Sequence, residues 1–399
     1  MEMMKNILLV PDAFTRMKSG AIVAQELSKI LENLGYNVSV FSPDIDYDEK
    51  VGDVNLYHRN SYNAIANHRT SKYLEQFRFV LKQENIDAVM FAGSITNKNI
   101  CYYEECFREK LKTMALIFMQ DFFCMRQYAN SKYSQCEKCL VNPLNVYMCK
   151  NGIDGSHLFL KKTLYLETSY KIRKIMSRLD AVIGSTYEQL DFYQKCGVMK
   201  EKCFLLPLPF DCTRINEKDS ERGDYFMCIA QDRTEKGFQF IPEILKHCNL
   251  NFKIILAYNG ENKAKEAIRK YSFNKYIEAG RLIVVYDKQW NTGLYDLIAK
   301  SRGVIIPSIW HTTTEYGLLE ALGLKKPVFT FNISAHREFI INGVNGFKVP
   351  IGDCEALAKQ LDRLYEDNDL YDKVSNGAYI LYKQLTDHQS WNNFFKMIL

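Results

Sequence analysis

Residues 304–347 hold the groups best suited to gripping an anion. An apolar run, Val304-Ile305-Ile306, leads through Pro307-Ser308-Ile309-Trp310 into Glu315-Tyr316-Gly317-Leu318-Leu319-Glu320-Ala321-Leu322-Gly323. A strand that ends in a short loop and opens a helix offers free backbone N–H groups and a positive helix end, which suit a diphosphate. Gly317 and Leu318 are the candidate donors. Further along the helix, Glu320 is placed to accept hydrogen bonds from ribose hydroxyls, as acidic residues do in other nucleotide folds. It lies among Leu318, Leu319 and Leu322, where an idle carboxylate is costly.

A second constellation is Cys124, Cys136, Cys139 and Cys149, in which Cys136-Glu137-Lys138-Cys139 forms a CxxC knuckle. Four thiolates over residues 124–149 could enclose zinc tetrahedrally. The irregular spacing equally fits free thiols in a mobile loop. A third feature is the basic stretch 161–176, with Lys161, Lys162, Lys171, Arg173 and Lys174 around Leu164, Ile172 and Ile175. It reads either as an amphipathic helix lying on an anionic membrane or as an ordinary solvated helix.

These groups need a scaffold. With 399 residues, 47% of them hydrophobic, the chain can bury more than one core. Short runs of Val, Ile, Leu and Phe alternate with helix-length amphipathic stretches, the pattern of parallel sheets covered on both faces. Strands are expected near 6–10, 37–41, 87–92, 114–119 and 181–184 in the first half. In the second half they fall near 203–206, 225–230, 252–257, 282–286, 303–306 and 328–331. Ile22, Leu27, Ile30, Leu31 and Leu34 mark the helix after the first strand, and Gly35 stands at its stop. The two prolines of Leu206-Pro207-Leu208-Pro209 predict a boundary. The expected division is 1–206, 207–380 and a terminal helix over 381–399 packing back toward the first domain.

The charge balance, 52 Lys and Arg against 47 Asp and Glu, is too mild to indicate nucleic acid and suits anionic small molecules or a membrane surface. The apolar run at 7–10 is too short for a signal peptide, and no stretch has the roughly 18 uninterrupted apolar residues of a spanning helix. The expectation is a cytoplasmic protein, peripheral at the membrane's inner face if stretch 161–176 docks there, with its 12 cysteines mostly reduced.

The ordered motifs resemble glycosyltransferase family 4, the retaining enzymes of GT-B fold. The segment from Val304 to Phe347 carries the strongest likeness. Lys18-Ser19-Gly20 sits where the family has a glycine-rich loop, and Gln120-Asp121 resembles its His-Asp segment. Leu208-Pro209-Phe210-Asp211 is similar to the entry to the second domain, and Glu235-Lys236-Gly237 to the tail of the phosphate-contact motif. The resemblance implies two Rossmann-like domains and a UDP- or GDP-sugar donor, with a hexose-type sugar passed to a glycan or lipid-linked acceptor in surface polysaccharide or glycolipid assembly. It implies no catalytic metal, cofactor or protein nucleophile.

On that resemblance Lys236 and Arg233 are the phosphate cations, Asp121 lies on the acceptor side, and Gly20, Glu320 and His336 face donor or nucleotide. Glu315 and Thr312 either touch the donor sugar or its nearer phosphate, or serve as ordinary helix-start residues. Lys236 could equally be a solvated lysine at a helix start. Three departures bear on activity. Thr312 replaces the first of two glutamates, Gln231 stands in for an arginine whose planar cationic fork glutamine lacks, and Ser334-Ala335-His336-Arg337 replaces a glycine pair before Glu338, narrowing the sugar pocket or adding cations to it. They support a rival reading, a catalytically altered GT-B protein that binds nucleotide or glycan as an assembly partner. An epimerase or phosphorylase would need cleft carboxylates or a cofactor lysine, and neither pattern stands out.

Overall fold

The computed structural model describes residues 5–15, 19–45, 49–51, 54–58, 70–96, 99–118, 138–148, 158–230, 234–310 and 314–399. The chain forms two compact units, Met1–Asp211 with Asp387–Leu399, and Cys212–Thr386.

The first unit is built on eight strands: β1 (Asn6–Pro11), β2 (Asn37–Ser42), β3 (Glu49–Val51), β4 (Val54–His58), β5 (Ala88–Ala92), β6 (Lys112–Leu116), β7 (Ala181–Gly184) and β8 (Cys203–Leu205). Their spatial order is β3-β4-β2-β1-β5-β6-β7-β8. All neighbours run parallel except β3 against β4. Continuous burial of Ile7, Leu8, Leu9 and Val10 is what a strand covered on both faces requires. Phe41, Phe77 and Tyr102 meet in the core at ring separations of 5.4 and 4.9 Å. The helix Ser19–Asn33 follows β1, and Gly35 ends it in the left-handed region at φ 84°.

The second unit holds β9 (Tyr225–Ala230), β10 (Lys253–Tyr258), β11 (Leu282–Tyr286), β12 (Gly303–Ile306), β13 (Val328–Phe331) and β14 (Gly346–Val349), ordered β11-β10-β9-β12-β13-β14 and parallel throughout. The chain starts in the middle at β9, winds outward through β10 and β11, then returns to β12 and winds the other way. Such a sheet has its topological switch point between β9 and β12. Ligands of doubly wound folds bind there, beyond the carboxyl ends of the strands. Phe226 anchors the core against Phe252 at 4.8 Å and Phe329 at 5.4 Å.

Three sequence expectations about the scaffold need correction. The strand near 203–206 pairs in parallel with β7 and belongs to the first sheet. Its partner is the preceding strand of the chain, and the prolines that follow it come before the change of unit at 211/212. The strand near 114–119 lies earlier, at Lys112–Leu116. The units divide at 211/212 and 386/387, where the sequence placed boundaries at 206/207 and 380/381. Leu208 and Phe210 are buried, and the helix Asn368–Leu385 runs unbroken past 380. The last helix, Gln389–Ile398, belongs to the first unit. Its Trp391 is fully buried, donates its indole N–H to the Pro207 carbonyl at 2.8 Å, and stacks on Phe395.

Candidate functional site

Topology puts the candidate residues of the second unit at one end of its sheet. Lys236 closes the turn Thr234–Lys236 directly after β9, and Glu315 precedes the helix Tyr316–Gly323 in the connection after β12. The Glu235 carbonyl accepts the Ile309 N–H at 2.8 Å and the Ser308 hydroxyl at 3.4 Å, which ties the two connections together. Gly237 allows this closeness. Its φ is 78°, and a Cβ built on it would lie 1.7 Å from the Pro307 carbonyl oxygen, so no other residue fits without moving the loop.

The Lys236 ammonium meets a Glu315 carboxylate oxygen at 2.7 Å, with the glutamate side chain only 14% exposed. Burial pushes the Glu315 carboxyl upward, but the charges of Lys236 and His336 with hydrogen bonds from Lys236 and Ser308 outweigh it and hold the group below its ordinary value. Lys236 and Glu315 are thus paired and largely buried, with Glu315 at the N-cap of the helix Tyr316–Gly323, the helix-start position that the sequence also allowed.

His336 lies in the helix Ser334–Phe339 after β13 and is 3% exposed. Its Nδ1 is 2.5 Å from the Thr330 hydroxyl oxygen. Burial lowers its pKa and Lys236 adds to that, against the opposing pull of Glu315. The segment for which the sequence left open a narrowed pocket or added cations thus carries a buried histidine whose charged form burial disfavours.

Glu320 is buried in the same helix, and its carboxylate pairs with the Arg214 guanidinium at 3.0 Å. Arg214 in turn lies over the Trp290 ring at 4.9 Å and the Tyr316 ring at 5.7 Å. Burial lifts Glu320 to a pKa of about 7 despite the two opposing effects of Arg214. The sequence reading missed Arg214. The burial of Glu320 demanded a cation, but nothing local pointed to one far back in the chain.

Gly317 is the second residue of its helix, so its N–H has no preceding helical carbonyl to meet. The Leu318 N–H donates to the Glu315 carbonyl at 3.0 Å, which leaves Gly317 as the better phosphate donor of the two. Gly20 falls in the first unit, as the second residue of the helix Ser19–Asn33 rather than in a loop, with its Cα facing the Phe118 ring. Arg233, Thr312, Asp121, Cys124, Cys136 and Cys149 lie outside the described residues. Of the cysteine constellation only Cys139 is described, half-buried in the short helix Lys138–Val141. Among the described residues no three His, Cys, Asp or Glu side chains converge as metal ligands.

The family model described as Glycosyl transferases group 1 matches residues 224–367. Among solved structures, the sucrose-phosphate synthase of Thermosynechococcus elongatus superposes with a TM-score of 0.72 at 11% identity, covering 99% of each chain. HepE of Anabaena, solved in complex with UDP and glucose, gives a TM-score of 0.66 at 13% identity over 98% of each chain. The chain has the GT-B glycosyltransferase fold. Within this GT-B chain, the residues matched by the group 1 model include Lys236, Glu315, Glu320 and His336, whereas Arg214 lies before them. A curated relative, the sucrose synthase of Melioribacter roseus, is 31% identical over 139 residues, which are 34% of this chain and 17% of that enzyme. The matches span less than half the length of each curated relative. No described helix is long and apolar enough to cross a membrane.

Proposed function

We propose that this chain transfers a hexose-type sugar from a UDP- or GDP-sugar to a glycan or lipid-linked glycan acceptor, with retention at the anomeric carbon. The observation that carries the reading is the Lys236–Glu315 ion pair, seated beyond β9 and β12 with Glu320 farther along the same helix. A diphosphate arriving there draws the ammonium from Glu315 and lies against the helix start at Gly317. One oxygen of Glu320 stays with Arg214 while the carboxylate accepts from the ribose hydroxyls. Arg233 is assigned to the same phosphates, Thr312 to the donor sugar and Asp121 to the acceptor side.

As the bond between the anomeric carbon and the phosphate oxygen breaks, negative charge grows on the departing diphosphate. Preorganised charge at that point is the largest contribution such a site can make. The acceptor oxygen bonds the anomeric carbon from the face being vacated, and its proton passes to the departing phosphate oxygen. No protein nucleophile and no metal enter this scheme. If the cysteines of 124–149 bind zinc, that metal is structural.

Thermal melting with UDP, GDP and their hexose conjugates tests the reading. A nucleotide present at about 100 times its Kd should add about 2.7 kcal/mol to the stability of the native state, and the gain should vanish in Lys236→Ala and Glu320→Ala. No gain with any nucleotide overturns it. A second reading, a binding protein without transferase activity, is favoured by Thr312, Gln231 and the replacement of the glycine pair before Glu338 by Ser334-Ala335-His336-Arg337. Slow donor hydrolysis without acceptor separates the two, since a binding protein releases no sugar.

We place the protein in the cytoplasm at a membrane surface in polysaccharide or glycolipid assembly. Stretch 161–176 lies within the helix Leu158–Arg178, whose Phe159, Leu160 and Leu164 are exposed. Apolar side chains beside lysines suit an anionic bilayer. Co-sedimentation with anionic vesicles but not with neutral ones is the expected outcome.

A further inference from the structure

The two edges of the second sheet are built differently. At the β14 edge the Asn342 side chain takes both backbone groups of Lys348, accepting its N–H at 2.6 Å and donating to its carbonyl at 3.1 Å. A lysine on the strand and a residue folded over it both keep an edge from pairing with another chain. β11, at the opposite edge, has neither. It reads Leu282-Ile283-Val284-Val285-Tyr286, a run of β-formers without proline, glycine or charge.

The parallel register fixes which of its backbone groups face outward. Leu282 is the partner of Ile254, whose N–H donates to the Arg281 carbonyl at 2.9 Å, and the Asp287 N–H donates to the Tyr258 carbonyl at 3.0 Å. Residues 281, 283, 285 and 287 thus turn their backbone groups to β10, while Leu282, Val284 and Tyr286 turn theirs to the open edge. Among the described residues no other segment bonds to these outward groups. Ile283, on the sheet face opposite Leu282, is 39% exposed.

We propose that β11 pairs antiparallel with β11 of a second copy of this chain, about a two-fold axis at Val284. In that register the strand complements itself. Val284 exchanges both backbone bonds with Val284 of the second copy, and Leu282 exchanges both with Tyr286. A shift in either direction leaves outward groups at a strand end unmatched within β11. Ile283 of one copy lies opposite Val285 of the other, which covers apolar surface now in water. At each end Arg281 stands across from Asp287 of the second copy, so opposite charges meet at both ends. Arg281 keeps its bond to the Leu250 carbonyl and Asp287 its bond to the Gly260 N–H, so this attraction orients the copies without tying them. The contact is isologous and closes at two copies. The candidate site lies beyond β9 and β12, so the pairing does not depend on the donor reading.

Sedimentation velocity on the whole chain tests it. A contact made by one added strand is at the small and weak end of interfaces, so the protein is measured from about 1 to 100 µM. Wild type should move toward twice its 46.5 kDa as concentration rises. Val284→Pro removes an N–H that the chain's own sheet does not use. It should keep the circular dichroism of wild type and raise the dimer dissociation constant at least about 10-fold. Ile283→Cys combined with Val285→Cys gives a second measurement that does not require the proline to be tolerated. Opposed residues of a non-hydrogen-bonded antiparallel pair have Cα atoms about 4.5 Å apart, within reach of a disulfide. Mild oxidation should therefore link two copies of this variant beyond whatever the wild-type cysteines achieve.

A wild type that stays monomeric to about 100 µM overturns the pairing. So does a dimer whose dissociation constant Val284→Pro leaves unchanged, or a cysteine pair that links copies no more than wild type does, since either result puts the contact on another surface.

Discussion

At the scale of single residues, Glu320 shows how burial and pairing compete. Desolvation holds its pKa at about 7, against an ordinary value of 4.5, although Arg214 lies alongside. The sign of the linkage follows. Below pH 4.5 the group is protonated in both states, and between 4.5 and 7 the folded chain keeps a proton that the unfolded chain has released. Stability from this group is thus full at the acid end and lost as pH rises through about 7, with a slope of at most about 1.4 kcal/mol per pH unit. Urea denaturation of wild type and Glu320→Gln across this window should show the wild type losing stability relative to the variant as pH rises. A constant difference contradicts a raised Glu320. Gly237 makes a separate test. Gly237→Ala should cost about 1–3 kcal/mol for the left-handed backbone alone. Because a Cβ meets the Pro307 carbonyl, it should also shift Lys236 and weaken UDP or GDP binding, measured by titration. Part of the candidate site was legible in the sequence: Lys236, Glu315, Glu320 and His336 all belong to the second unit, within the residues that the family model matches. Their partners were not, because Arg214, Thr330 and Ser308 reach them only through folding.

At the scale of elements, legibility followed burial. β1, β5, β9, β10 and β12 are central strands covered on both faces, so each reads as an unbroken apolar run. β3, β4 and β14 went unread; β3 and β14 are edge strands and β4 lies beside β3, and none of the three is an unbroken apolar run. β8 was seen and counted among the strands of the second half, although the expected division at 206/207 left it with the first domain, where it pairs with β7, the strand before it. The terminal helix was expected to pack toward the first domain, and its anchor is Trp391. The indole is fully buried, bonded to the Pro207 carbonyl and flanked by Phe394 and Phe395. Phe394 in turn meets Phe204 of β8 at 5.0 Å. Trp391→Ala should destabilise the first unit by about 3–5 kcal/mol, the usual range for emptying an aromatic site in a core. Deleting 389–399 should cost at least as much. Hydrogen exchange in β7 and β8 reports it, and unchanged protection there would show that the helix is dispensable to this sheet.

At the scale of the whole molecule, each unit has its own sheet and its own buried cluster, so a ligand held by one of them should reveal which it is. Lys236, Glu315, Glu320, His336 and Arg214 all belong to Cys212–Thr386. A nucleoside diphosphate bound there stabilises the folded second unit by mass action, by about 2.7 kcal/mol at 100 times its Kd. The stabilisation has an address. Amides of β9, β12 and β13 should slow in exchange when UDP or GDP is added, while those of β1, β5 and β6 keep their rates. In calorimetry the transition of the second unit should move up alone. Should the strands of both units gain protection equally, the two unfold as one cooperative body and the ligand's stabilisation is shared. Should only the first unit respond, the nucleotide site lies on the other sheet, and the assignment of Lys236 and Glu320 fails with it.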